Sequence, residues 1–525
     1  MKLSILTVFL VGCCVALACS HKKHPVERSD TQRYIVQVNH DVDILDFIPN
    51  FLENAFQTLE DLIHETEEVA ETVVEDVGKT IGKLFKRCHK KPEPKAIQVH
   101  DIFDIGGMFK AFQMELHNDT ILDSLLDITQ VMSIIPDDDI EFLLPKPNAH
   151  NSVDKRDESD DEDDTSSETS SSLSATKPTP TGSSDKEWSS TTFSSAMPTH
   201  TPTKGHKNDT ITYIKMPEEP QAPWNLVRIS QRELDLEQPY TTDSLSGAGV
   251  TVYIIDDGLA IHNEDFEKRA SYGWSAVANS TSNKHITQKS TSSAGGGKNS
   301  DPRDGGGHGT HVAGIIGGKH YGVAKNVTLV GVQVLQPNGK GSVSNFLGGI
   351  NWVVEQEKNQ TRPVLINLSL GLPKENVRAK TLAQAVEAAV KAGIPVIAAA
   401  GNSAVDACDI VPANSKNVFT VGSTTQEDEM DSQSCYGACV DVLAPGFDIT
   451  STYIGEPDST ATMSGTSMSA PHVSGVAAMI LPYLDNPTPK ELYKVMRGMA
   501  TRNKISGIPD KKTPNALLYN KLKNH

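Results

Sequence analysis

From Ala222 onward the chain alternates short runs that are apolar at nearly every position with longer stretches that are apolar along one side only. Residues 250–255, 327–334, 364–370, 394–399 and 418–421 are of the first kind, and 343–357 and 379–391 of the second. A run that short and continuously apolar predicts a strand covered on both faces. The one-sided stretches predict the helices that cover it. Such alternation predicts an α/β fold on a doubly wound, mainly parallel sheet. Sheets of this kind place their sites beyond the carboxyl ends of the strands.

The pattern before this region is different. Residues 34–38 form a β-type run. Leu52, Phe56, Leu59 and Ile63, then Val69, Val73, Val77, Ile81 and Leu84, recur at helical spacing with acidic residues opposite. Residues 109–116 and 131–135 read as two further strands, and 141–144 closes the unit. Residues 33–146 are thus expected to be a small α+β domain. From 147 to 221 the chain turns acidic and then Ser/Thr/Pro-rich, with almost nothing apolar to offset ordering entropy, which predicts a disordered linker. Lys155-Arg156 within it suits a dibasic cut by another protease.

Residues 1–18 read as a secretory signal: Lys2 supplies the charged start, 3–16 the apolar core, and Ala16-Leu17-Ala18 a small-x-small cleavage site. That core is shorter than the ~20 residues a bilayer span needs, and no later segment is long and apolar enough. The expected route is the secretory pathway, with no membrane span. Three of the seven cysteines, Cys13, Cys14 and Cys19, lie in or beside the signal. The remaining Cys88, Cys408, Cys435 and Cys439 are too few for a disulfide scaffold, so the core must carry the stability. A chain of 525 residues is too long for a single core, and a net charge of −19 argues against a nucleic-acid partner.

Three polar motifs interrupt this apolar pattern. Asp256 follows the 250–255 run and is the first acidic residue after it, with Asp257 as the alternative. His308 lies in Gly305-Gly306-Gly307-His308-Gly309, whose small residues let another segment approach the ring. Ser467 follows Gly465-Thr466 and opens an Ala-rich helix with Pro471 in its first turns. A serine hydroxyl is a weak nucleophile until a base takes its proton, and a carboxylate can fix the base in one tautomer. The order Asp…His…Ser matches one of the known chain orders of that constellation. Asn402, just past the 394–399 run, can donate to a developing oxyanion together with the Ser467 N–H. His311 raises a zinc reading, but no neighbouring Glu motif supports it, and a structural core histidine is expected.

With these motifs in place the chain resembles the subtilisin-like serine proteases, in the branch of proteinase K and the fungal cerevisins. Ala222-Pro223-Trp224-Asn225-Leu226, Tyr321-Gly322-Val323-Ala324-Lys325, Asn367-Leu368-Ser369-Leu370-Gly371, Leu443-Ala444-Pro445-Gly446 and Thr513-Pro514-Asn515 carry the resemblance. It implies a peptidase domain over 222–525 and, for 33–146, a ferredoxin-like inhibitory propeptide. It further implies a monomeric secreted zymogen that hydrolyses proteins or peptides through an acyl-enzyme, with its own propeptide as inhibitor. The address is extracellular, cell wall or vacuole. Substrate would add a strand between Gly339, Lys340, Gly341, Ser342 and Val343 on one side and Ser369, Leu370 and Gly371 on the other. Ala399, Ala400 and Gly401 would line an S1 pocket for apolar or aromatic side chains. Catalysis would need no cofactor. Asp441, with the carbonyls of Lys416 and Val418, matches a structural calcium site. Cys408 and Cys439 match a pairing seen in relatives, leaving Cys435 as a free thiol or an exchanging partner.

Three departures stand out: a Gly/Ser/Asn-rich insertion at 279–303, Leu372 where the pocket rim ordinarily has glycine, and the long linker. Asn118, Asn208, Asn279, Asn326 and Asn359 begin glycosylation sequons; Asn367 also does, but inside a buried strand. Two other readings stay open. Asp256-Asp257-Gly258 suggests a kexin-like processing protease for dibasic sites, and the insertion and linker suit a catalytically silent cell-wall or coat component that keeps the fold.

Overall fold

The computed structural model describes residues 32–75, 97–116, 119–142, 144–148, 211–216, 221–277, 301–358, 360 and 362–522. The signal, the dibasic pair, Cys88, most of the expected linker and of the 279–303 insertion, and the sequons at Asn118, Asn208, Asn279 and Asn359 lie outside them.

The amino-terminal unit is a four-stranded antiparallel sheet. Its strands are Gln32–Val38, Ile97–Ile105, Phe109–Leu116 and Val131–Pro136, in the spatial order second, third, first, fourth. A long helix, Ile44–Glu75, follows the first strand and a short one, Leu122–Leu126, the third. This β-α-β-β-α-β order is the ferredoxin-like arrangement. The pleat explains why 34–38 lacks polar alternation. Tyr34, Val36, Val38, Phe112 and Met114 pack on the helix residues Phe51, Ala55 and Leu59. Ile35, Phe109 and Ala111 face the other way, into a core shared with the larger domain. The strand Ile97–Ile105 is a further element; its Asp101 and Asp104 mask the pattern.

In the larger domain nine strands form one sheet. From one edge they run Thr501–Arg502, Ala516–Leu517, Val442–Pro445, Phe419–Thr424, Val396–Ala399, Val364–Leu368, Thr251–Asp256, Thr328–Gln333 and Ala270–Ser275. All neighbours are parallel except the first pair. The five expected strands and both expected helices are present, and alternate residues feed opposite layers. Val252 and Ile254 join the core under the helices His308–Gly317 and Thr466–Ile480. Tyr253 and Ile255 join the core under Val343–Glu357 and Ala379–Lys391. The sheet is therefore doubly wound.

Part of the expected linker is ordered. Tyr213–Lys215 pairs antiparallel with Thr241–Asp243, so the larger domain reaches back past 222. Composition hides this because the strand is short and its pairing partner supplies the missing hydrogen bonds. Among the described residues, no helix is long and apolar enough to cross a membrane.

Candidate active site

Asp256 is the last residue of the strand Thr251–Asp256 and is fully buried. Its Oδ1 accepts a hydrogen bond from Asp257 N and lies 2.8 Å from His308 Nδ1. Asp257, the alternative, turns elsewhere. Its carboxylate accepts from the backbone N–H groups of Gly309 at 2.8 Å, Gly306 at 3.0 Å and His308 at 3.3 Å. It thus satisfies donors at the start of the helix His308–Gly317 that would otherwise be orphaned. Burial, and then the neighbouring Asp256, push the Asp257 carboxyl above the usual carboxylate range. Burial also works against an imidazolium at His308, but Asp256, and after it Asp257, outweigh it and hold the His308 pKa above its ordinary value.

The glycines around His308 have a steric cause. Gly307 has φ +102°, and a Cβ there would lie 2.5 Å from the Tyr453 ring. At Gly309 a Cβ would lie 2.2 Å from Gly258 O. His311 is fully buried with Nε2 on the carbonyls of Ile449 and Ala461, at 3.1 and 3.0 Å. Burial lowers its pKa to about 3. It ties the helix to the hairpin Ile449–Thr452/Thr460–Met463, as a structural histidine.

Ser467 is the second residue of the helix Thr466–Ile480. Its hydroxyl donates to Ser369 O at 3.0 Å, and its own carbonyl accepts from Ser369 Oγ at 2.9 Å. His308 Nε2 is buried and has no hydrogen-bond partner. The expected relay is therefore present in its Asp–His link, while the Ser–His link is not made here. Asn402 Oδ1 accepts from both Thr466 N and Thr466 Oγ1 at 2.8 Å. This double anchor fixes the amide and leaves Nδ2 as its free donor end, 3.1 Å from where a Cβ on Gly465 would stand. Thr466 is a site residue that sequence reading passed over; its adjacency to Ser467 was the available signal.

Residues 140–142 and 144–148 lie along this site, leading away from the small domain. Ile140–Glu141 pairs antiparallel with Lys340–Gly341, and Phe142 N donates to Gly339 O at 3.0 Å. Pro145 Cγ comes within 3.1 Å of the Cβ position of Gly465, beside Asn402. Asn148 N donates to Thr462 O at 3.0 Å. Among the described residues this strap pairs with the Gly339–Gly341 side. Ser342 caps the helix that begins at Val343. Ala399 and Ala400 are buried, and Cys435 Sγ stands 3.0 Å from where a Cβ on Gly401 would be. Leu372 does not obstruct the rim: it is buried in the core with Leu370 and pairs with Val411.

A profile of the subtilase family matches residues 247–516. The chain belongs to the subtilase family. It is 40% identical to cerevisin of Saccharomyces cerevisiae over 321 residues, covering 57% of this chain and 47% of that protein. It therefore spans about half of cerevisin's length. It is also 40% identical to subtilisin-like serine protease Rho m 2.0101 of Rhodotorula mucilaginosa, covering 86% of that protein. Among solved structures it resembles a cold-adapted subtilisin-like serine proteinase, with a TM-score of 0.50 and 39% identity over 58% of this chain and all of that one.

Subtilases commonly bind structural calcium, but the surroundings of Asp441 do not fit one. Calcium takes about six to eight oxygen ligands. Here Oδ1 of Asp441 accepts from Arg497 Nη1 at 2.7 Å and Oδ2 from Thr420 N at 2.9 Å, so a guanidinium already supplies the positive charge. Among the described residues no three acidic, histidine or cysteine side chains gather as a metal site. Cys408 and Cys439 form the expected disulfide, and Cys435 is a buried free thiol. Asn326 is exposed, with its amide nitrogen donating to Leu245 O at 3.1 Å, and Asn367 is fully buried.

Proposed function

We propose that this subtilase is a serine endopeptidase made as a zymogen and carried into the secretory pathway, to the exterior, the cell wall or the vacuole. The observation that carries the reading is the buried 2.8 Å contact between His308 Nδ1 and Asp256 Oδ1, with Nε2 left free. That bond holds the imidazole in the tautomer whose Nε2 can take a proton. Ser467 Oγ attacks the peptide carbonyl carbon as its proton passes to His308 Nε2. The carbonyl oxygen, now an anion, accepts from Asn402 Nδ2 and the Ser467 N–H. His308 then delivers the proton to the departing amine, leaving an ester on Ser467. Water repeats the sequence and releases the acid. The buried alanines at 399 and 400 favour apolar side chains before the cut.

The strap supports the inhibitory role of the small domain, since it occupies the cleft as an added strand while the Ser467 hydroxyl rests on Ser369. The Asp256-Asp257-Gly258 form lends the kexin-like reading no support, because the Asp257 carboxylate accepts from three backbone donors and is not offered to a dibasic substrate. The silent-coat reading finds no support in the buried His308–Asp256 pair, because burying an ion pair is a poor way to stabilise a purely structural protein.

A fluorophosphonate should label matured wild-type protein at Ser467. Ser467→Ala should lose labelling, stay unprocessed when expressed alone, and lose kcat by about a million-fold, the loss seen in subtilisin. Normal maturation and turnover in that variant would overturn the proposal.

A further inference from the structure

The strap does not end at the reacting groups. Past Pro145 it continues to Asn148, whose backbone N–H bonds to Thr462 O and whose side-chain Nδ2 donates to Asp448 Oδ1 at 2.7 Å. The direction of the chain gives this contact its meaning. Residues 140–142 lie on 339–341, and Pro145 lies at Gly465 beside Asn402. Asn148 is therefore on the far side of the site, where the departing half of a cut peptide would lie.

The carboxylate it meets is built into the catalytic loop. Asp448 N donates to Ser464 Oγ at 2.9 Å, and that hydroxyl lies 3.3 Å from Asp448 Oδ1. Ser464 stands three residues before Ser467 in the sequence. Asp448 O accepts from Trp224 Nε1 at 3.4 Å. Asp448 itself sits at φ +52°, in the left-handed region that few side chains adopt. Backbone and side chain are thus both pinned, yet the residue is exposed. A fixed, accessible carboxylate beside an edge carbonyl suits a peptide with a donor side chain at that place.

Resting on the endopeptidase reading, we propose that Asp448 and Thr462 O form a subsite on the leaving-group side that selects substrates carrying an amide or cationic side chain, and that Asn148 occupies it in the zymogen. The Thr462 carbonyl holds the backbone of any sequence, and Asp448 supplies the discrimination. Because the carboxylate is solvated, the selection is modest, about two- to fivefold per contact.

The test uses matured full-length enzyme and quenched-fluorescence peptides with a constant Ile-Glu-Phe-Leu half before the cut. Asn, Lys, Ala or Asp is placed in turn at the third, fourth and fifth residues after it. At one of these positions kcat/KM should fall in the order Lys and Asn, Ala, Asp. Asp448→Asn, chosen because asparagine tolerates the left-handed backbone, should remove the Lys advantage and the Asp penalty when each rate is taken relative to the Ala peptide cut by the same variant. Equal rates for all four side chains at every position, or a Lys preference that survives in Asp448→Asn, would overturn the subsite while the enzyme still cuts. Failure of the wild type to cut any peptide would instead overturn the endopeptidase reading, and this one with it.

Discussion

Asp256 and Asp257 are adjacent in sequence, carry the same side chain and are both buried, yet they are assigned different tasks by a single turn of backbone. One faces the imidazole of His308; the other faces the amides that begin its helix. Asp257 therefore acts as a positioning residue. Asp257→Asn should keep part of the amide contact but remove a negative charge near the imidazole. The His308 pKa is held up partly by that charge, so it should fall in the variant. Since the base must be neutral, activity declines as pH drops through that pKa. The acid limb of kcat/KM should therefore move to lower pH in Asp257→Asn. Asp257→Ala should in addition cost about 1–2 kcal/mol of stability, the range for losing a helix cap. A pH–rate profile and a denaturant titration check the two parts, and an unmoved acid limb would reject the electrostatic one.

At the scale of elements, the helix His308–Gly317 is seated by close approach. Its first turn lies against Gly258 and Tyr453, and His311 ties its interior to the hairpin Ile449–Thr452/Thr460–Met463. Gly307 carries both a positive φ and a contact that a methyl group would violate. Gly307→Ala should cost at least about 2 kcal/mol, combining backbone strain with overpacking, and should lower kcat by displacing His308. A denaturant midpoint and a single-substrate rate measure both. Stability within about 0.5 kcal/mol of the wild type would show that Tyr453 yields freely.

Across the whole molecule, the small domain is docked through one face of its sheet. Ile35, Phe103, Ile105, Phe109 and Ala111 share a core with the helices Val343–Glu357 and Ala379–Lys391. Asp137 sits at the rim of this contact. Its carboxylate accepts from Ser344 N at 2.8 Å and Gln113 Nε2 at 2.6 Å, and Ser344 is the second residue of the helix it faces. Asp137→Ala leaves the Ser344 N–H without its acceptor and takes from Gln113 Nε2 one of its two, the other being Ser344 Oγ at 3.2 Å, which costs about 1–3 kcal/mol of docking. Activity should then appear about five- to a hundredfold sooner during maturation, read as a shorter lag in peptide cleavage. An unchanged lag would place the docking energy in the apolar face alone.

Much of this was legible in the chain. Periodicity placed five strands and two helices of the large sheet because burial on both faces demands apolar residues throughout. The motifs around Asp256, His308 and Ser467 were readable because each joins a special backbone need to a reactive side chain. Strands such as Ile97–Ile105 and Tyr213–Lys215 were not, since polar positions and short length leave no local signature. Which aspartate meets the imidazole, how Thr466 orients Asn402, why Arg497 fills the place expected for calcium, and where Asn148 meets Asp448 all depend on contacts between segments distant in the sequence. Local pattern reports the solvent each residue avoids; only packing decides which neighbour it meets instead.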